Sequence, residues 1–332
     1  MPATASHILL TGWNFNPSVV LGILALAGLY AYGTGPLRVR RALGQPVPRA
    51  RAIAFYLGLG VLAFALLSPL DELGDRYLFS MHMVQHMLLV MVVPPLLLLG
   101  TPGWLIAPPL RRAGLLALAR RLNGLLRGLL LPIIFFALFN VDFWAWHIPP
   151  LYDLTLRNES VHILEHLTFL IFATLNWLPI LSPLPDDLPR LPRMAQVLYL
   201  FVSCQPMVLL GALLTFAAQP LYAPYVAAPR IFGLAPMADQ QLGGLIMWIP
   251  GNLVYLLVMS LIFFQWVQHQ SDETLRAEWE EDHADELASG SPLHRGGEGL
   301  GEGSASASPA PAHGEGGLGA VEAASTLERS NT

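Results

Sequence analysis

The chain has 332 residues, 54% of them hydrophobic and only 12% charged, with a mean hydropathy of +0.52. A soluble domain carries roughly 25% charged residues, so this composition excludes one and points to an integral membrane protein. The net charge of -5 lies largely in the C-terminal tail and says little about partners of the core. All eighteen basic residues are Arg, and no nucleic-acid partner is expected. The single cysteine, Cys204, excludes an intrachain disulfide and a thiolate cluster.

A spanning helix needs about 20 mostly apolar residues. Seven stretches qualify: Phe15–Tyr32, Arg51–Leu70, Ser80–Leu99, Leu129–Trp146, Val161–Leu181, Met194–Phe216 and Gln241–Gln265. The expected fold is an all-α, polytopic bundle of seven transmembrane helices. A membrane domain would cover 1-270 and a tail 271-332. Arg38, Arg40, Arg41, Arg49 and Arg51 follow the first stretch; Arg111, Arg112, Arg120, Arg121 and Arg127 follow the third; Arg190 and Arg193 follow the fifth. The intervening loops hold only Arg76, Arg157 and Arg230. Loops rich in Arg stay cytoplasmic, which predicts an outer N-terminus and a cytoplasmic C-terminus. Near the start there is no basic region ahead of a small-residue cleavage site, so no cleavable signal peptide is expected.

The stretch from Leu115 to Arg127 sets leucines against Arg120, Arg121 and Arg127. It reads either as a helix on the inner membrane surface or as a helical extension into the cytoplasm. Pro94-Pro95 and Pro206 are expected to interrupt their helices, which a bilayer tolerates where neighbours satisfy the freed carbonyls. Beyond Gln265 an acidic helix is expected, and from Ser289 a Gly-, Ser-, Ala- and Pro-rich tail that cannot build a core.

The third stretch opens Ser80-Met-His-Met-Val-Gln-His-Met. His82 and His86 lie one helical turn apart and leave the same face. His162 and His166 repeat that spacing. With the expected topology, these four and His147 fall at one depth on the outer side. Ionisable groups inside spans are costly and tend to face the bundle in a functional role. Imidazole suits copper, zinc and iron, and thioether adds a preference for Cu(I). The metal candidates are therefore His82, His86, His147, His162 and His166, with Met83 and Met87 in reach. Glu165, Asp142, Asp239 and Gln85 could orient ligand rings. Met91 and the Cys204–Met207 pair read as packing or as a soft-ligand relay.

Three longer stretches carry a resemblance. One is Ser68-Pro-Leu-Asp-Glu through His82 and His86 to Pro94-Pro-Leu-Leu-Leu-Leu-Gly. The second is Trp146-His-Ile-Pro-Pro-Leu-Tyr-Asp followed by His162-Ile-Leu-Glu-His-Leu-Thr-Phe. The third is Asp239-Gln-Gln-Leu-Gly-Gly-Leu-Ile-Met-Trp-Ile-Pro-Gly. Together, across Trp13 to Trp266, they resemble the bacterial CtaG family of multi-span assembly factors for caa-type cytochrome c oxidase. The resemblance implies a seven-helix protein of the bacterial plasma membrane, needed to make an active haem–copper oxidase by handling copper. It places His82, His86, His147, His162, His166 and Asp239 in the family's motifs.

The leading expectation is a copper-binding chaperone, holding copper as Cu(I) and passing it to haem–copper oxidase subunits. A copper donor protein would supply it. The rivals are a haem-binding protein with His ligands on facing helices, a copper transporter using the methionines, and a metal-free oxidase-docking scaffold. An enzyme is not expected: no nucleophile–base pair or nucleotide loop is present. His162-x-x-Glu165-His166 matches an inverted zinc-protease pattern without a recognisable third-ligand helix.

Overall fold

The computed structural model describes residues 5–125 and 128–284. The expected disordered tail beyond Ser289, with His294 and His313, and Arg127 lie outside the described residues. Every regular element among the described residues is helical. The chain divides into two units at Leu275, and the candidate site described below lies in the first.

Helix α1 (Ala5–Thr11) precedes α2 (Pro17–Tyr32), which passes through a π-helical stretch into α3 (Arg38–Arg41). Then come α4 (Arg49–Leu67) and the short α5 (Pro69–Arg76). Next, α6 (Phe79–Met87) runs through a second π stretch, Leu88–Val92, into α7 (Val93–Gly100). Helices α8 (Gly103–Arg112) and α9 (Leu115–Leu125) are followed by α10 (Leu130–Trp146) and α11 (Pro149–Thr155). The long helices α12 (Glu159–Leu181) and α13 (Arg193–Thr215) lead through α14 (Ala223–Ala227) to α15 (Pro236–Asp282).

Among the described residues, six helices are long and apolar enough to cross a membrane, and there are seven spans if the bent pair α10–α11 counts as one. The expected seven spans are thus six or seven, the seventh depending on this bent pair. Helix α10 has 17 residues, about 25 Å at 1.5 Å per residue, which is short of a hydrocarbon core of about 30 Å. The bend of 80° comes from Pro149-Pro150. The residue before a proline is driven out of the helical region, and Ile148 sits at ψ 124°. The same rule ends α4 three residues earlier than expected: Ser68 before Pro69 is extended, and its Oγ accepts from Leu70 N–H at 3.3 Å to cap α5. Pro206, expected to interrupt its helix, lies inside an unbroken α13. Pro94-Pro95 do mark a change, from the π stretch into α7.

The bundle is built around Phe79–Gly100. Sixty-one per cent of its apolar window is buried inside the protein, against 11% for Pro17–Arg41. Helices α4 and α12 pack along α7, α10 packs on α12, and α2 leans on α4. Phe79, Met83, Met87, Phe143, Phe169, Trp177, Met207 and Met247 form the main core. The outward faces carry Leu21, Leu24, Leu57, Phe64, Leu198 and Leu253, all exposed. An apolar surface of that extent suits lipid and not water. The Leu115 stretch forms α9, tied through Arg120 and α8's Arg111 to the buried Asp187 at 3.5 and 2.9 Å.

Candidate metal centre

The two histidine pairs meet. On α6 the His82 and His86 ring centroids are 4.1 Å apart, and on α12 those of His162 and His166 are 4.2 Å apart. Across the helices, His82 lies 5.5 Å from His162 and His86 lies 5.4 Å from His166. His147, at the end of α10 where the bend begins, is 6.3 Å from His86. One ligand atom from each of His82, His162, Glu165 and His166 lies within 4.8 Å of all the others.

Glu165 is seated between the pairs and not beside them. Its Oε2 is 4.0 Å from His82 Nε2 and its Oε1 is 3.8 Å from His86 Nε2. Neither oxygen has a hydrogen-bond partner. Helical spacing alone, three residues after His162, suggests a side chain turned somewhat aside; the imidazoles of α6 that face it put it in the middle.

One member was not anticipated. Asp75 reaches His82 Nδ1 with one oxygen at 3.5 Å and His162 Nδ1 with the other at 3.4 Å. It stands on α5, which lies against the first turn of α6 because residue 74 is glycine. A Cβ there would fall 3.0 Å from the backbone N and Cα of His82. The signal for Asp75 was available: Ser68-Pro69 is a capped helix start, and Asp71 and Asp75 then share one face at a four-residue spacing. Burial pushes the Asp75 carboxyl up to about 6, with His162 opposing. Burial, then the neighbouring Asp75, pushes Asp71 up to about 7.

The remaining candidates support the cluster or stand apart from it. Asp239 accepts from Phe79 N–H at 2.7 Å and Ser80 N–H at 3.1 Å, so it caps the start of α6 from α15. Gln85 donates to Ala65 O at 2.9 Å and to Asp71 Oδ1 at 2.7 Å, tying α6 to α4 and α5. Asp142 accepts from Trp146 Nε1 at 2.9 Å, and that indole N–H is shared with Thr168 of α12. Met83 and Met87 belong to the apolar core, beside Gly243 and Gly251 of α15 respectively. Cys204 is buried in the same core with Met207, its thiol donating to Phe201 O at 3.1 Å.

The cluster is polar, buried and unsatisfied. Both nitrogens of His82 and His86, Nε2 of His147, His162 and His166, and both oxygens of Glu165 lack hydrogen-bond partners. Buried polar groups left unpaired cost about 1–3 kcal/mol each, so this many in one place calls for an occupant. Lone-pair nitrogens converging on a carboxylate form a donor set for a metal ion. A cavity of about 780 Å³ is lined by Asp71, Asp75, His162 and His166 and by apolar residues of α2, α4 and α12.

Fold and site together define a polytopic helical membrane protein with a buried imidazole–carboxylate centre. The chain belongs to the cytochrome c oxidase caa3 assembly factor family (Caa3_CtaG), whose model matches residues 28–269. It is also similar to curated mycobacterial proteins named as uncharacterized. It is 28% identical to one from Mycobacterium leprae (strain TN) over 86% of this chain and 43% of that protein. It is 30% identical to others from Mycobacterium bovis and Mycobacterium tuberculosis, with the same coverage of 86% and 43%. The chain thus spans less than half the length of these relatives. No solved structure matches it.

Proposed function

We propose that the protein is a copper-handling assembly factor for a haem–copper oxidase in the bacterial plasma membrane. It takes copper on the outer side, holds it between α6 and α12, and gives it to an apo-oxidase subunit. The role is that of a chaperone and not of an enzyme. The carrying observation is the set of buried, unpartnered imidazole nitrogens around Glu165. The Arg-rich loops supply the orientation, with the N-terminus outside and the C-terminus in the cytoplasm. The rings stand 4.1–6.3 Å apart around one carboxylate, a packing that suits ions better than a haem macrocycle.

The test is copper and haem content of the detergent-purified protein after anaerobic Cu(I) loading, beside His82→Ala and His166→Ala. Wild type should retain copper and both variants should lose it or bind it far more weakly. Protons compete with metal for imidazole, whose ordinary pKa is about 6.5. Copper affinity should therefore fall between about pH 8 and about pH 5. Affinity that stays flat over that range, or a Soret band in place of bound copper, would sink the reading.

A second reading rests on the sulfur atoms. Met83, Met87, Met91, Met207, Met247 and Cys204 share one apolar core and are all soft donors. In that reading the protein carries copper across the membrane. Copper uptake into proteoliposomes that survives substitution of Met87, Met207 and Cys204 would remove it.

A further inference from the structure

The centre holds more donors than one ion can use. His82, His162, His166 and one Glu165 oxygen already make four ligand atoms within 4.8 Å of one another, a full set for a four-coordinate ion. His86 and His147 remain. Both His86 nitrogens are buried and unpartnered. His147 Nδ1 lies 2.6 Å from Phe143 O. That bond fixes the tautomer with the proton on Nδ1 and a bare lone pair on Nε2, and this Nε2 is also buried and unpartnered.

The two oxygens of Glu165 divide between these sets. Oε2 faces His82 Nε2 at 4.0 Å, and Oε1 faces His86 Nε2 at 3.8 Å. We infer that the centre holds two copper ions bridged by the Glu165 carboxylate, one with His82, His162 and His166 and the other with His86 and His147. This rests on the copper-binding reading above. Charge favours two monovalent ions. Uncompensated charge is expensive in a buried site, and the centre offers two carboxylates, Glu165 and Asp75, to offset two Cu(I). Asp75 touches only the first set, at His82 and His162, so the two ions are inequivalent.

The test uses the full chain in detergent, loaded anaerobically with Cu(I) from a buffered chelator, with copper counted by mass spectrometry. Wild type should hold about two ions per chain, while His86→Ala and His147→Ala should each hold about one. X-ray absorption of the loaded wild type should carry a copper–copper scattering feature, since two-metal sites hold their ions about 3.5–4 Å apart. Glu165→Gln should lose that feature. Wild type saturating at one ion overturns the two-ion centre and leaves the copper-binding reading standing. Wild type that binds none overturns both. The wild-type count and its scattering feature decide the matter even if a variant fails to fold.

Discussion

Trp177 donates its indole N–H to the carbonyl of Val90 at 3.1 Å, from α12 to the π stretch at the centre of the bundle. Val90 O has no backbone donor at helical spacing, because the residues four and five positions on are Pro94 and Pro95. In a bilayer that carbonyl would have no water to turn to. One tryptophan therefore makes the Pro-Pro pair tolerable next to the histidine helix. Trp177→Phe keeps most of the ring and removes the donor. It should lower the unfolding free energy by about 1–3 kcal/mol, read as a fall in thermal midpoint in detergent. An unchanged midpoint would mean that Val90 O has found another donor.

Spans, the break at Pro94-Pro95 and the two histidine pairs were legible because each rests on local rules: apolar length, the helix-breaking of proline, four-residue spacing. The expected topology put the five histidines at one depth, and their rings lie near one another. What escaped were relations set by helix approach. Glu165 stands at the centre because His82 and His86 reach towards it from α6, and Asp75 enters because Gly74 lets α5 lie on α6. The bend after Trp146 was written in Pro149-Pro150, yet a hydropathy window reads composition and passes over it. Pro206 failed as a breaker because a proline inside a packed membrane helix can be accommodated without ending it.

Asp71 supplies a pH prediction. Burial and Asp75 raise its carboxyl from 3.8 to about 7, against the Gln85 and Asn14 amides, which lower it. A raised pKa means that the fold favours the neutral acid. That stabilisation is full below about pH 4 and is lost as pH climbs through about 7. Asp71→Asn has no proton to lose, and its amide oxygen can still accept from Gln85. At about pH 8 the variant should melt higher than wild type by about 2–4 °C, with the gap closing towards about pH 4. A gap that does not depend on pH would show that charge burial is not its cause.

Asp239 caps a helix on which it does not reside. Its carboxylate takes the first two N–H groups of α6, which nothing within α6 can satisfy. Loss of a cap costs about 0.5–2 kcal/mol. Asp239→Ala should lower stability by about that amount and also weaken copper binding, because the capped turn carries His82. Asp239→Asn keeps an acceptor and should fall between. The check is a copper titration beside a melting curve for all three proteins. Lost stability with unchanged copper affinity would separate the cap from the site.

The backbone contact between α13 and α15 tests the same coupling from further away. A Cβ on Gly211 of α13 would meet the Gly244 carbonyl at 2.9 Å, and one on Gly244 of α15 would meet the Gly211 carbonyl at 2.7 Å. Small residues let membrane helices pack backbone to backbone, and a carbonyl cannot swing aside as a side chain can. Alanine is ordinarily the better helix former, by about 1 kcal/mol. A methyl group on Gly60 of α4 would meet nothing within 4 Å, so Gly60→Ala should be neutral or stabilising. Gly244→Ala should do the opposite and destabilise, since α15 must move off α13. That shift would carry Asp239, five residues upstream, away from the start of α6, so copper retention should fall with stability. Equal, mild effects of the two alanines would mean that α13 and α15 have room to spare and that the cap on α6 does not depend on their contact.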